Sequence, residues 1–167
     1  MSRSMVVTVV LIVLALAVAG SLALLFQGGK EDLLEVVRAR YEGLSQEQVE
    51  QMGYHSEPFC TDSNEVGEPG LGAMGFHAIN HDLFENMQPD QPPIMLLDGN
   101  GTVMGIEYET EDASGPAPTF FGHQFEFSPP HPGHEVDHWM LHIYFQPDEE
   151  LISTWNPQLS CPEGDFD

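Results

Sequence analysis

Four side chains in this sequence combine metal-ligand chemistry with a strand-like setting: His77 in GFHAIN, Glu107 in GIEYE, His123 in FGHQF and His142 in MLHIY. Each stands among aliphatic or aromatic residues, in a segment whose pattern predicts a β-strand. Imidazole and carboxylate together are the ligand set of zinc, copper, manganese and non-haem iron centres. Two or three histidines with one carboxylate and an open position would suit metal-assisted chemistry. The competing reading is that each histidine is a core residue whose ring nitrogens are hydrogen-bonded locally. Glu107 alternates with Val103, Gly105 and Glu109, whereas Met104, Ile106 and Tyr108 form a more apolar side. The metal reading needs the Glu107 side to line a cavity. Gly105 either gives room for a ligand there or marks a bulge.

A second, more polar group gathers in SPPHPGHEVDH, with His131, His134, Asp137 and His138. His134, His138 and His142 recur every four residues, which on a helix would make a ligand stripe. The alternation in VDHWMLHIYFQP instead predicts a strand, with Trp139, Leu141, Ile143 and Phe145 on one face and His138, Met140, His142 and Tyr144 on the other. Residues four apart on a strand are separated by ~13 Å, so His138 and His142 are not expected to share one ion. The loop histidines are read as an adventitious exposed site or a solvated polar loop. Other chemistries find little support: the chain has no GxSxG elbow, phosphate-binding glycine loop or CxxCH haem site. DGNG (98–101) is followed by Thr102 where an EF-hand needs an acid or amide, and is read as a turn.

The elements that must position these residues follow from the pattern. Apolar residues from Leu33 to Val49 keep near-helical spacing with a break at Gly43-Leu44-Ser45, predicting two helices or one kinked helix. Ser45 followed by Gln48 suggests a capping box, and Gly53 a stop. Residues 54–73, with Pro58, Pro69 and several glycines, read as loop. MGFHAIN (74–80) reads as a strand and HDLFENMQPDQPP (81–93) as a helical turn with a proline-rich connection. IMLLDGNGTVMGIEYET (94–110) reads as a hairpin with Asn100-Gly101 in its turn, and TFFGHQFEF (119–127) as one alternating strand. Helices first and then five or six strands predict an α+β domain with a strongly curved or barrel-like antiparallel sheet.

Charge and cysteines bound the setting. Twenty-seven acids face four bases, for a net charge of −23. Such a surface repels phosphate, which argues against nucleic acid as a partner, and suits a protein working in concentrated salt. After Arg3 the chain is uncharged and mostly apolar from Met5 to Phe26, long enough to span a bilayer with the rest outside. The small-residue site Ala17-Val18-Ala19 would suit a cleaved signal peptide instead. Residues 1–29 are therefore expected to be a membrane anchor or signal with its hinge, and 30–167 one extracytoplasmic domain. Export makes a disulfide between Cys60 and Cys161 the expectation, with two free thiols as the alternative.

Taken in order, GAMGFHAIN, MGIEYE, FFGHQFEF and WMLHIYFQPDEELISTWNP, flanked by Cys60 and Cys161, resemble a group of exported, functionally uncharacterised microbial proteins. Their patterns run MGxHxxN, VxxEY, FGxxF and WxLHxW…WNP, over about residues 53–161 here. The resemblance implies that His77, Glu107 and His142 recur as a set, with His123 a less regular match. It implies no activity.

Overall fold

The computed structural model describes residues 33–131, 134–147 and 150–162 of the 167. The expected anchor or signal and its hinge (1–29) lie outside the described residues. Among the described residues, no helix is long and apolar enough to cross a membrane.

The chain opens with α1 (33–41) and α2 (Gln46–Gln51). The break between them falls at Gly43, whose φ of +77° suits a residue without a Cβ. Ser45 then caps α2 through a reciprocal capping box with Gln48. Val37, Tyr41 and Val49 are buried against the sheet. Arg38 reaches across to the Gln146 carbonyl at 2.6 Å and to Glu150 at 3.3 Å, tying α1 to the far end of the sheet.

Among the described residues nine strands follow: β1 (His55–Asp62), β2 (Ala73–Ile79), β3 (Ile94–Leu97), β4 (Val103–Glu109), β5 (Thr119–Phe120), β6 (His123–Gln124), β7 (Glu126–Ser128), β8 (His138–Phe145) and β9 (Glu150–Ile152). All pairings are antiparallel, in the order β1-β2-β3-β4-β8, with β7 and β9 pairing the two ends of β8. The α+β expectation holds, but the sheet is not a closed barrel. Its two sides are linked instead by the C-terminal segment. Asn156 bridges Ala73 at the start of β2, and the Cys60–Cys161 disulfide ties β1 to the residues after β9.

Two expectations are corrected. Residues 55–62 form a strand rather than loop. β1 pairs only with β2 and its ladder is interrupted between Ser56 and Cys60, so the edge position accommodates Pro58. The single strand expected over 119–127 is three pieces, because Phe121 (φ +52°) and Gly122 (φ +89°) turn the chain back and pair β5 with β6. That hairpin packs Phe120 and Phe125 around Tyr108 and stands apart from the main sheet.

The sheet has two different faces. Toward the helices it presents Met95, Ile106, Tyr108, Leu141 and Ile143. The opposite face holds a smaller apolar set, Ile94, Leu96 and Tyr144. A register shift at Leu96/Leu97 sends Val103 to the helix side and leaves Met104 against the smaller set, so the alternation of β4 is regular only from Gly105 onward. Gly105 is a packing requirement: a Cβ there would stand 2.7 Å from the Ile143 carbonyl oxygen and 3.1 Å from Tyr144 Cα. Both are backbone atoms that cannot swing aside. Gly105→Ala is expected to destabilise the domain by about 1–3 kcal/mol, read as a lower urea midpoint at unchanged m-value.

Candidate metal centre

Sheet register places the first group of ligands. Ile79, Ile94, Glu107 and His142 form one continuous cross-strand row, with Glu107 directly opposite His142. His77 lies in the next row, opposite Leu96. Strands two apart are separated by ~9.5 Å, so His77 and Glu107 meet only because their side chains lean toward each other over the intervening strand. His77 Nε2 lies 3.2 Å from Glu107 Oε2, and His142 Nε2 lies 3.3 Å from the same oxygen. One ligand atom from each residue falls within 4.8 Å of the others.

These atoms are deeply covered: Glu107 is 2% exposed and His142 3%. Glu107 Oε2 and both ring nitrogens of His142 have no well-formed hydrogen bond in the protein. The contacts to Oε2 are close but poorly directed, so the attraction is electrostatic. Burial pushes the Glu107 carboxyl up, and His142 and then His77 outweigh it, holding the group below the ordinary carboxylate range. The carboxyl is thus held toward its ionised form in a dry setting, between two imidazoles.

A cleft of about 480 Å³ opens beside this group. His77, Glu107, Glu109 and His134 line its polar side, and Phe84 and Ile94 part of its apolar side. The face carrying Glu107 does line a cavity, as the metal reading requires. His123 is not brought there. It is exposed on β6, opposite Phe120, in the separate hairpin.

A second group was only partly legible. Glu109, His134 and His138 also bring one ligand atom each to within 4.8 Å. Glu109 contacts His134 Nδ1 directly. His134 Nε2 lies 3.2 Å from the Glu111 carbonyl, and His138 Nδ1 lies 2.9 Å from that of Val136. His131 Nε2 stands 3.3 Å from His138 Nε2. Burial, followed by the charge of Glu107 and a hydrogen bond with it, pushes Glu109 up to about 9. Burial likewise pulls His138 down to about 4, despite its bond to the Val136 carbonyl. The polar-loop reading of these histidines therefore gives way at His138, which is fully buried. His138 and His142 fall into different groups, in line with their spacing on one strand. Glu109 had no separate signal beyond its two-residue spacing from Glu107.

No protein-family model, curated protein or solved structure matches this chain.

Proposed function

We propose that this protein is an exported acidic domain that binds a divalent transition metal, zinc, copper, manganese or iron, through His77, Glu107 and His142. One observation carries this reading: ligand atoms from three separate strands converge within 4.8 Å, on an ionised carboxylate that is nearly sealed from solvent. Leaving a buried polar atom without a partner costs about 1–3 kcal/mol, and coordination would satisfy Glu107 Oε2 and a His142 nitrogen together. The donor set of two nitrogens and a carboxylate suits these ions, and three protein ligands leave a position open toward the cleft. Bound there, a divalent ion supplies Lewis acidity or an activated water.

The setting supports export. The Cys60–Cys161 disulfide suits an oxidising compartment, and the apolar N-terminal segment would deliver the domain there, as an anchor or a signal. The net charge of −23 supports a saline environment and leaves no affinity for nucleic acid. The resemblance to exported microbial proteins with the same ordered motifs points to the same three residues.

Elemental analysis tests the reading. The full chain, without a histidine tag and purified in mild detergent and high salt, is expected to carry at least one equivalent of transition metal. His77→Ala and His142→Ala should each lose the ion bound by this group while retaining cooperative melting. His77 is only partly covered, so its removal separates loss of a ligand from loss of the fold. A parent that stays metal-free after reconstitution with Zn2+, Cu2+, Mn2+ and Fe2+ would overturn the proposal and leave a metal-free cell-surface module.

A further inference from the structure

The sheet carries its second ligand group immediately beside the first. Glu109 follows Glu107 by two residues, on the same face of β4, and both line the cleft. We propose that Glu109, His134 and His138 hold a second divalent transition cation, and that the two groups form a paired-metal centre in the cleft, joined through Glu107 and Glu109. This inference rests on the first group being a metal site.

The hydrogen bonds of the two imidazoles are the observation that separates this group from a chance cluster. Backbone carbonyls only accept, so His134 must donate from Nε2 to Glu111, and His138 from Nδ1 to Val136. In the neutral rings this leaves His134 Nδ1 and His138 Nε2 as lone pairs. Histidine ligands to metals are oriented in this way, with the second ring nitrogen donating to a carbonyl or carboxylate. The group is also well covered, with His138 0% and Glu109 8% exposed.

Glu109 completes the case. Its oxygen meets His134 Nδ1, an atom already assigned as a lone pair. Two acceptors in contact require a proton between them or a cation. A metal ion at this contact would take both atoms as ligands, with the rings held from behind by the two carbonyls. Glu107 and Glu109 lie two residues apart on one face of β4 and line one cleft, a placement that suits a two-metal site, whose ions lie about 3.5–4 Å apart. His131 adds an imidazole beside His138 at the edge of the group.

Zinc titration of the full chain, followed by isothermal calorimetry and by metal content after gel filtration, tests the pair. The expected result is two Zn2+ per chain in the parent and one in both His134→Ala and Glu109→Gln, the latter keeping the shape of the side chain. Loading with Cu2+ reads adjacency: the parent should give a dipolar-broadened paramagnetic resonance spectrum, and His134→Ala a sharp single-ion one. One Zn2+ in the parent, unchanged in His134→Ala and lost in His77→Ala, would overturn the second site and leave the first intact. One Zn2+ that is lost in His134→Ala but kept in His77→Ala would sink the first site and the pair with it. Two uncoupled Cu2+ ions would refute the pairing. No binding of either ion would overturn both readings.

Discussion

Replacing Glu107 by leucine is expected to abolish metal binding at the first group while leaving the metal-free protein as stable as the parent, or more so. Glu107 sits in a cross-strand row with Ile79 and Ile94 and has His142 directly opposite. Its neighbours are already those of an aliphatic core position, and leucine is close to it in volume. A buried ion pair replaced by a packed apolar side chain is often neutral or stabilising, by about 1–4 kcal/mol, because the desolvation of the charge is no longer incurred. Metal reverses the ranking: a ligand that binds only the folded state at a thousandfold excess over its Kd adds about 4 kcal/mol. For a domain of this size that is a rise in melting temperature on the order of 10–15 °C. Differential scanning calorimetry with and without saturating Zn2+ should show the full shift in the parent and a loss of the first group's share of it in Glu107→Leu. A fall of several kcal/mol in the metal-free Glu107→Leu protein would instead mark the carboxylate as a structural group.

The chemistry of the first group was more legible than the architecture that creates it. His77, Glu107 and His142 each stand in a segment with strong local strand signal, and β2, β4 and β8 formed essentially where that signal lies. Their convergence was not readable, because it depends on pairing order. The sequence has β5, β6 and β7 between β4 and β8, yet β4 and β8 are direct neighbours. His123 shows the converse. Its local setting resembles that of the other three, but Phe121 takes a left-handed backbone conformation that strand-like composition gives no hint of, and the chain turns away.

The second group was hidden for a different reason. His134 and His138 flank an irregular stretch held by contacts to the end of β4 and the residues after it, such as Glu109 and the Glu111 carbonyl beside His134, rather than by its own periodicity. Glu109 carried no local signal beyond sharing a strand face with Glu107. It is buried and in contact with His134, a partner that no window around residue 109 contains. β1 was missed through Pro58, which argues against a central strand and is compatible with an edge. In each case the sequence encodes the side chain's chemistry locally and its environment through partners far along the chain.

Removing the disulfide should be the largest single blow to stability and should nevertheless spare the metal ligands. The bridge joins residues 101 apart, and closing a loop of about that length is worth about 4–5 kcal/mol in the chain-entropy model. Cys60 is 3% exposed, so paired alanines are a better replacement than serines, which would bury two hydroxyls. In Cys60→Ala/Cys161→Ala the melting temperature is expected to fall by roughly 10–20 °C. The loss should be concentrated at the two sides of the sheet that the C-terminal segment links. Glu57 and Thr61 of β1 border the cleft, so its outer wall loosens. His77, Glu107 and His142 are carried on β2, β4 and β8, whose ladders run through β3 and do not depend on the bridge. Metal content measured well below the melting temperature should therefore stay at the parent's value, and added Zn2+ should restore part of the lost stability. If the ion were lost together with the bridge in a protein that still melts cooperatively, the ligand geometry would depend on the linked sheet, not on the three strands alone.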